Sequence, residues 1–456
     1  MEKIRHLFAV LCVGLALIML VTGISPITKT KQQTLEKALE DEIDGEFTPV
    51  FRFAVASDVH INAGDDTTAK RLAKLFQTAY AYSDAQTGYR CLDAVVLVGD
   101  NCDSGSEAEY KILNAVIAEN KRAETQMITV MGNHEFAQTG HEGYVRNMNE
   151  ALDKHVVVKG FHFIGLSPDP SDTWHTPTQI NWMSKQLREA AKDDPNKPIF
   201  TMQHGHIWNT VYVSRSWFTQ MFLPLHMVYA QYPQVINFSG HSHGPINNPL
   251  DIWQNSYTTV GTGTLNYFEM ERDIGDETVP AGARNAAQYF IVEVDAANRV
   301  RLQPYNILTE DFMKTPATTD DPEKQLVYLV HSPADASNYV YTSARRKTAS
   351  TPYFEAGDAV TVTGVTADSA TLSFPQAEDD ICVYGYRITL KDAKHPLKKT
   401  VKEIYSEYYF EPIPETLSCT VTGLAAGTTY SVSVTPLNVW LTEGEPITCS
   451  VSTANN

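Results

Sequence analysis

Phe51-Arg-Phe-Ala-Val-Ala-Ser-Asp58-Val-His60 is the stretch from which the rest of the chain can be read. Phe51, Phe53 and Val55 alternate with Arg52 and Ala54, the period-two pattern of a β-strand with a buried face. The strand runs directly into an Asp-x-His pair, a carboxylate and an imidazole placed so that both can turn onto one ion. Such a pair arises about once by chance in a chain of this length. Its meaning therefore depends on how the later strands end.

They end in kindred ways. Ala94-Val-Val-Leu-Val98 is short, apolar and β-branched, as a strand covered on both faces would be, and it leads into Gly99-Asp100-Asn101-Cys102-Asp103. Met127 to Met131 leads into Gly132-Asn133-His134-Glu135, Pro198 to Gln203 into His204-Gly205-His206, and Val235 to Phe238 into Ser239-Gly240-His241-Ser242-His243. Between them lie helical patterns. Leu72, Leu75, Phe76 and Ala79 share a face; Ser104-Gly-Ser-Glu107 reads as a capping box, and Thr176-Pro177-Thr-Gln179 opens a helix with Pro at its first position. Strands alternating with helices predict a layered α/β fold, whose ligands collect beyond the carboxyl ends of the strands. Singly, each motif is an ordinary turn or a satisfied histidine. Five in succession, each after a strand, point to one metal-binding centre.

The set resembles the calcineurin-like metallophosphoesterase superfamily, which includes purple acid phosphatases and cyclic-nucleotide phosphodiesterases. The resemblance covers roughly residues 50–310 and implies a layered α/β/β/α sandwich. It also implies two metal ions: Asp58, His60 and His243 on one, Asn133, His204 and His241 on the other, with Asp100 bridging and His134 facing the substrate. The donor chemistry agrees independently, since carboxylate, imidazole and amide oxygen suit divalent Mn, Fe, Zn or Co. Two-metal phosphatases hold their ions about 3.5–4 Å apart, lower the pKa of a shared water and clamp the phosphoryl oxygens. His134 would then protonate the leaving alkoxide or stabilise phosphoryl charge.

Three departures qualify the resemblance. Asp103 occupies the position of the iron-ligating Tyr of purple acid phosphatases, which argues against a ferric site. Gly244-Pro-Ile-Asn-Asn248 differs from the Tyr-Glu-Arg continuation of that branch, and His206 stands where Pro is common. The alternatives for His206 are a substrate contact and a loop cap. The aromatic segment with Trp208, Tyr212, Trp217, Phe218 and Phe222 reads as core packing first and as a lid or site wall second.

After His243 the strands Ser256–Leu265, Ala287–Val294 and Arg299–Leu308 are expected to complete the second sheet of the sandwich, and residues 311–354 form a Pro/Thr/Ala/Ser-rich connector. From about Glu355 the signals are all-β. Leu424…Gly427…Tyr430 followed by alternating Val resembles fibronectin type III domains, with Leu424 plugging the core and Tyr430 forming the tyrosine corner. No chemical constellation lies in residues 355–454, which read as a spacer or docking module with cell-surface or carbohydrate contact as the other use.

Lys3 and Arg5 precede an uncharged run from Leu7 to Ile24, the pattern of a signal peptide or membrane anchor over residues 1–26, followed by a polar tether over 27–48. The expected location is extracytoplasmic, secreted or held at the membrane. A formal charge of -18 excludes a nucleic-acid polymer as partner, because phosphate backbones require stripes of Lys and Arg. Six cysteines without a C-x-x-C pair exclude thiolate zinc chemistry; free thiols are expected, with a disulfide among Cys382, Cys419 and Cys449 the alternative. The leading expectation is an exported hydrolase of phosphate mono- or diesters. The alternatives are a nucleotide or cyclic-nucleotide phosphodiesterase and, from another class, a surface-binding protein whose phosphoesterase fold is idle.

Overall fold

The computed structural model describes residues 47–170, 174–274, 278–285, 287–319 and 324–455. The expected signal peptide or membrane anchor and nearly all of the expected polar tether lie outside them. No helix among the described residues is long and apolar enough to cross a membrane.

In chain order the catalytic region contains β1 (Pro49–Ala56), α1 (Thr67–Ala85), β2 (Ala94–Val98), α2 (Glu107–Asn120), β3 (Gln126–Val130), α3 (Gly140–Met148), β4 (Lys154–Val158), β5 (Phe161–Leu166), α4 (Pro177–Asp193), β6 (Ile199–Gln203), α5 (Phe222–Tyr229), β7 (Val235–Ser239), β8 (Ile252–Gln254), β9 (Thr258–Gly261), β10 (Gln288–Asp295), β11 (Val300–Asn306), β12 (Asp311–Phe312) and β13 (Tyr328–Val330). Two sheets result. One runs β12-β11-β10-β1-β2-β3, with β13 also on β11; the other runs β4-β5-β6-β7-β9-β8. The strands β1, β2 and β3 are parallel, as are β5, β6, β7 and β9. Their carboxyl ends therefore gather at one edge of each sheet.

The period-two reading of β1 explains how the sheets meet. Phe51, Phe53 and Val55 point between them, where Phe51 stacks on Phe161 at 4.5 Å and Phe53 packs edge-on to Phe200 at 4.8 Å. Ala54 and Ala56 face α1 and α2 on the outer side. On the far side, Ile180, Met183 and Leu187 of α4 cover Ile164 and Leu166. This is the α/β/β/α sandwich. Both faces of β1 are buried, including Arg52, whose charge is met by Glu293 at 2.6 Å and by the carbonyl of Tyr89 at 2.8 Å. A buried guanidinium requires such partners.

Local signals are mostly where the residues place them. Thr176 and Gln179 form the reciprocal capping box of α4. For α2 the box lies two residues later than Ser104 and Glu107: Ser106 caps, and Glu109 reaches back. The three later strands do not complete a single second sheet. Only β9 lies there; β10 joins the first sheet antiparallel to β1, a pairing made by contacts far apart in sequence, and β11 adds antiparallel to β10. The apolar island of the connector is also in that sheet, as β13 on β11.

The C-terminal module packs the sheet β14 (Thr361–Val365), β15 (Ser369–Pro375) and β18 (Thr416–Thr422) on the sheet β17 (Lys399–Tyr405), β16 (Val383–Asp392), β19 (Thr429–Asn438) and β20 (Ile447–Ser452). Leu424 is buried in its core, and the Tyr430 hydroxyl accepts the Ala425 N–H at 2.8 Å, the expected tyrosine corner. Cys382, Cys419 and Cys449 are free thiols. The module is not a loosely tethered spacer. Tyr384, Tyr408, Tyr409 and Leu437 share an apolar cluster with Tyr212, Phe268, Met270 and Ile274 of the catalytic region, and Asn248 Nδ2 donates to the Tyr408 hydroxyl at 2.6 Å.

Candidate metal centre

The loops after β1, β2, β3, β6 and β7 meet at one point between the two sheets. Backbone bonds knit them: Asp58 N–H donates to the Gly99 carbonyl at 3.1 Å, His60 N–H to Asp100 at 2.9 Å, and Gly240 N–H to His204 at 2.9 Å. The strand ends fit this closely because some positions lack a Cβ. A Cβ on Gly99, whose φ is +87°, would lie 2.4 Å from the His204 ring, and one on Gly132 would lie 2.1 Å from Asp100 Oδ1. Asp58, His60, Asp100, His241 and His243 all have positive φ, between 48° and 70°. Left-handed backbone at non-glycine residues costs of order 1–3 kcal/mol each and collects where surroundings enforce a functional geometry.

Three sets of donor atoms lie within ligand distance of one another: Asp58, His60 and His243; Asp100, His204 and His241; and His60, Asp100 and His134, every atom pair within a set being closer than 4.8 Å. Asp58, His60, Asp100, His204 and His243 are buried. The histidine tautomers follow from what their Nδ1 atoms face. Nδ1 of His204 lies 2.8 Å from the Val98 carbonyl, that of His243 2.9 Å from the Tyr267 carbonyl, and that of His60 3.4 Å from Asp103 Oδ1. Each neighbour is an acceptor, so each Nδ1 carries the proton and each Nε2 presents a lone pair inward. Those lone pairs point at one another and at carboxylates. His60 Nε2 and His243 Nε2 are 3.1 Å apart, His204 Nε2 is 3.0 Å from Asp100 Oδ2, and His243 Nε2 is 3.2 Å from Asp58 Oδ1.

Lone pairs facing carboxylates repel unless a cation lies between them. The electrostatics express the same demand: against burial, Asp100 and Asp58 push the His204 imidazole up to about 10, while His243 and His204 hold Asp58 at about 2. Asp58 Oδ1, Asn133 Oδ1 and His204 Nε2 are buried without a hydrogen-bond partner. Buried polar groups are rarely left so, and these three belong to the expected ligand set. A histidine whose outer N–H is fixed by a carbonyl or carboxylate is the usual form of a metal ligand. The residues present fit a divalent metal pair.

His134 differs from the others. Its side chain is 40 % exposed, its backbone N–H donates to Asp100 Oδ1 at 2.9 Å, and its Nδ1 donates to the Asp103 carbonyl at 2.7 Å, which leaves Nε2 at the partly exposed edge of the cluster, 3.9 Å from Asp100 Oδ2. His206 is corrected. It is fully buried, with Nδ1 2.7 Å from Ser239 Oγ and Nε2 2.7 Å from Ser242 Oγ. Burial drives its imidazole down to about 3, leaving a neutral ring that braces the loop after β7 and cannot meet a substrate.

Residues 51–245 match the calcineurin-like phosphoesterase family, and residues 356–450 match the fibronectin type III domain. The chain carries a calcineurin-like phosphoesterase domain. That domain makes it a metal-dependent phosphoric ester hydrolase. No curated protein matches the chain in sequence. Among solved structures, purple acid phosphatase PPD1 from yellow lupin (Lupinus luteus) seeds is 13% identical over 62% of this chain and 54% of its own, with a TM-score of 0.44. This chain thus spans about half of that protein. The FN5 domain of Drosophila Lar is 20% identical over 24% of this chain and 99% of its own, with a TM-score of 0.17.

Several residues of the phosphoesterase site escape a reading of motifs. Asp103 orients both His60 and His134. Glu135, buried between the Cys102 and Gly132 N–H groups at 2.9 and 2.7 Å, is raised by burial and by Asp100 to about 7. Glu135 adjoins His134 in sequence, a signal available in the motif itself. Tyr267, with its ring 4.4 Å from His243, lies in a stretch without any pattern. Trp217 and Trp174 flank His241 at 5.0 and 4.8 Å, so part of the aromatic segment walls the site as well as the core.

Proposed function

We propose that the chain is an extracytoplasmic hydrolase of phosphate mono- or diesters. In this reading Asp58, His60 and His243 hold one divalent cation, Asn133, His204 and His241 hold a second, and Asp100 lies between them. The observation that carries it is the convergence of inward-facing Nε2 lone pairs on two buried carboxylates beside three buried atoms without partners. Ions so held supply an activated water and neutralise charge on the phosphoryl group.

The chain's own residues do the rest. Asp103 keeps the His60 and His134 rings oriented through Nδ1. His134, exposed at the mouth, has Nε2 free to hydrogen-bond a phosphoryl oxygen, or as imidazolium to hand a proton to the leaving oxygen. The N-terminal pattern of Lys3 and Arg5 before an uncharged run supports the extracytoplasmic location. A nucleotide phosphodiesterase is the second reading, favoured by the aromatic side chains of Trp174, Trp217 and Tyr267 around the cluster.

The test is stripping with a chelator, reconstitution with Mn, Zn, Fe or Co, and assay on monoesters, diesters and cyclic nucleotides. Activity lost with the metal and restored by one of these ions is expected. Undiminished hydrolysis by the metal-free protein would overturn the assignment.

A further inference from the structure

Two loops build the wall beside His241, residues 204–221 and residues 265–274. Trp217 belongs to both the metal cluster and a cavity. One side of its indole meets the His241 ring at 5.0 Å and 85°, and with Ser216 it lines a cavity of about 250 Å³ whose other walls are Met270, Arg272 and Thr278. A cavity of about 150 Å³ already admits benzene. This one has room for a ring or a small fused pair, against an indole and beside a guanidinium that stacks well on planar groups.

The loops are latched to each other and to the C-terminal domain. Ser216 Oγ donates to Glu271 Oε1 at 2.5 Å. The Glu271 N–H donates to the Tyr212 hydroxyl at 3.0 Å, which lies 2.8 Å from the Tyr384 hydroxyl, and Tyr384 in turn donates to Asp273 Oδ1 at 2.7 Å. With one proton per hydroxyl, Tyr212 must donate to Tyr384, so the chain of bonds has a single direction and Tyr384 is its hinge. Tyr405 adds a bond to the Glu271 carbonyl at 2.8 Å. Tyr384 and Tyr405 come from the fibronectin type III domain; both cavity walls come from the catalytic domain.

We propose that this cavity is the leaving-group subsite, that it takes a planar aromatic leaving group against Trp217, and that Tyr384 is a positioning residue holding its walls together. The subsite rests on the phosphoesterase reading of the adjacent cluster.

The experiment is calorimetric titration of the metal-loaded full chain with phenylphosphonate and with methylphosphonate, two non-hydrolysable anions that share the phosphonate and differ in the ring. The wild type binds phenylphosphonate about tenfold or more tightly than methylphosphonate. Trp217→Ala removes most of that preference, read as the ratio of the two affinities because the indole also packs on His241. Tyr384→Phe, which keeps the ring and deletes the hydroxyl, reduces the preference about threefold with the thermal midpoint little changed. Methylphosphonate binding with no preference for the phenyl compound, or equal loss of both in Trp217→Ala, overturns the subsite and leaves the phosphoesterase reading standing. Failure of both phosphonates on the wild type, together with absent ester hydrolysis, overturns that reading and the subsite with it.

Discussion

Asp100 Oδ2 lies 3.0 Å from His204 Nε2, although the two residues follow strands of different sheets. The metal centre is therefore a property of the sandwich and of neither sheet alone. Asp100→Asn keeps the side-chain volume and removes the charge that faces His204. Hydrolysis of p-nitrophenyl phosphate and bis-p-nitrophenyl phosphate is expected to fall about 10²–10³-fold or more, the size of loss seen when one preorganised electrostatic group is removed. His241→Ala is expected to do the same. Far-ultraviolet circular dichroism should be unaltered in both, and full activity in either would sink the two-metal assignment.

His134 is within ligand distance of His60 and Asp100 yet open to solvent. If it serves the substrate, His134→Asn lowers kcat by about 10²–10⁴-fold, the range for a lost general acid, and leaves the bound metal per chain unchanged. Metal analysis by mass spectrometry decides this. A loss of about one ion per chain would make His134 a ligand instead.

Asp251 is buried at 1% exposure, and neither carboxylate oxygen has a hydrogen-bond partner. Burial raises its pKa well above the ordinary carboxylate range. A folded value above the unfolded one favours the native state below the unfolded pKa, and that advantage is lost as pH rises through the folded value. Asp251→Asn cannot titrate. At pH 7 the variant should be the more stable by about 1–3 kcal/mol, converging with the wild type near pH 4. Urea unfolding across that range checks the slope, and a variant less stable at pH 7 would refute it.

Deletion of residues 355–456 also follows from the interface. Read from sequence alone, the C-terminal module looks dispensable for turnover of small substrates. In the structure its removal uncovers Tyr212, Phe268, Met270 and Ile274 and frees the loops that carry Trp217 and Tyr267. Aromatic residues bury about 150–250 Å² each, so the truncated chain should unfold at least about 5 °C lower and turn over p-nitrophenyl phosphate more slowly. Unchanged melting and turnover would restore the spacer reading.

Much of the centre was legible because each motif is local. A strand that ends in Asp-x-His or Gly-His-x-His announces itself within ten residues, and parallel strands must deliver their ends to the same edge. His206 could not be placed this way. Its neighbours in sequence are ligand-like, while its partners Ser239 and Ser242 lie more than thirty residues on. Arg52 presents the same difficulty: only the arrival of β10 beside β1 supplies Glu293 and permits a buried charge.

By itself the sequence determined the alternation of strands and helices, the residues that end each strand, and the two folded regions, because these depend on periodicity and on the chemistry of adjacent side chains. Tertiary structure alone decided which sheet β10 and β11 join, which histidine nitrogens face inward, and that Tyr384 of the second domain closes a hydrogen-bonded chain beside the site. Those outcomes depend on contacts between residues on different elements, more than a hundred positions apart in the case of Tyr384, whose pairing is set by packing and by the need to satisfy buried polar groups. Phe51 to His60 shows both sides. Its pattern named a strand and two candidate ligands, and only the assembled sandwich brought Asp100, His204 and His243 to meet them.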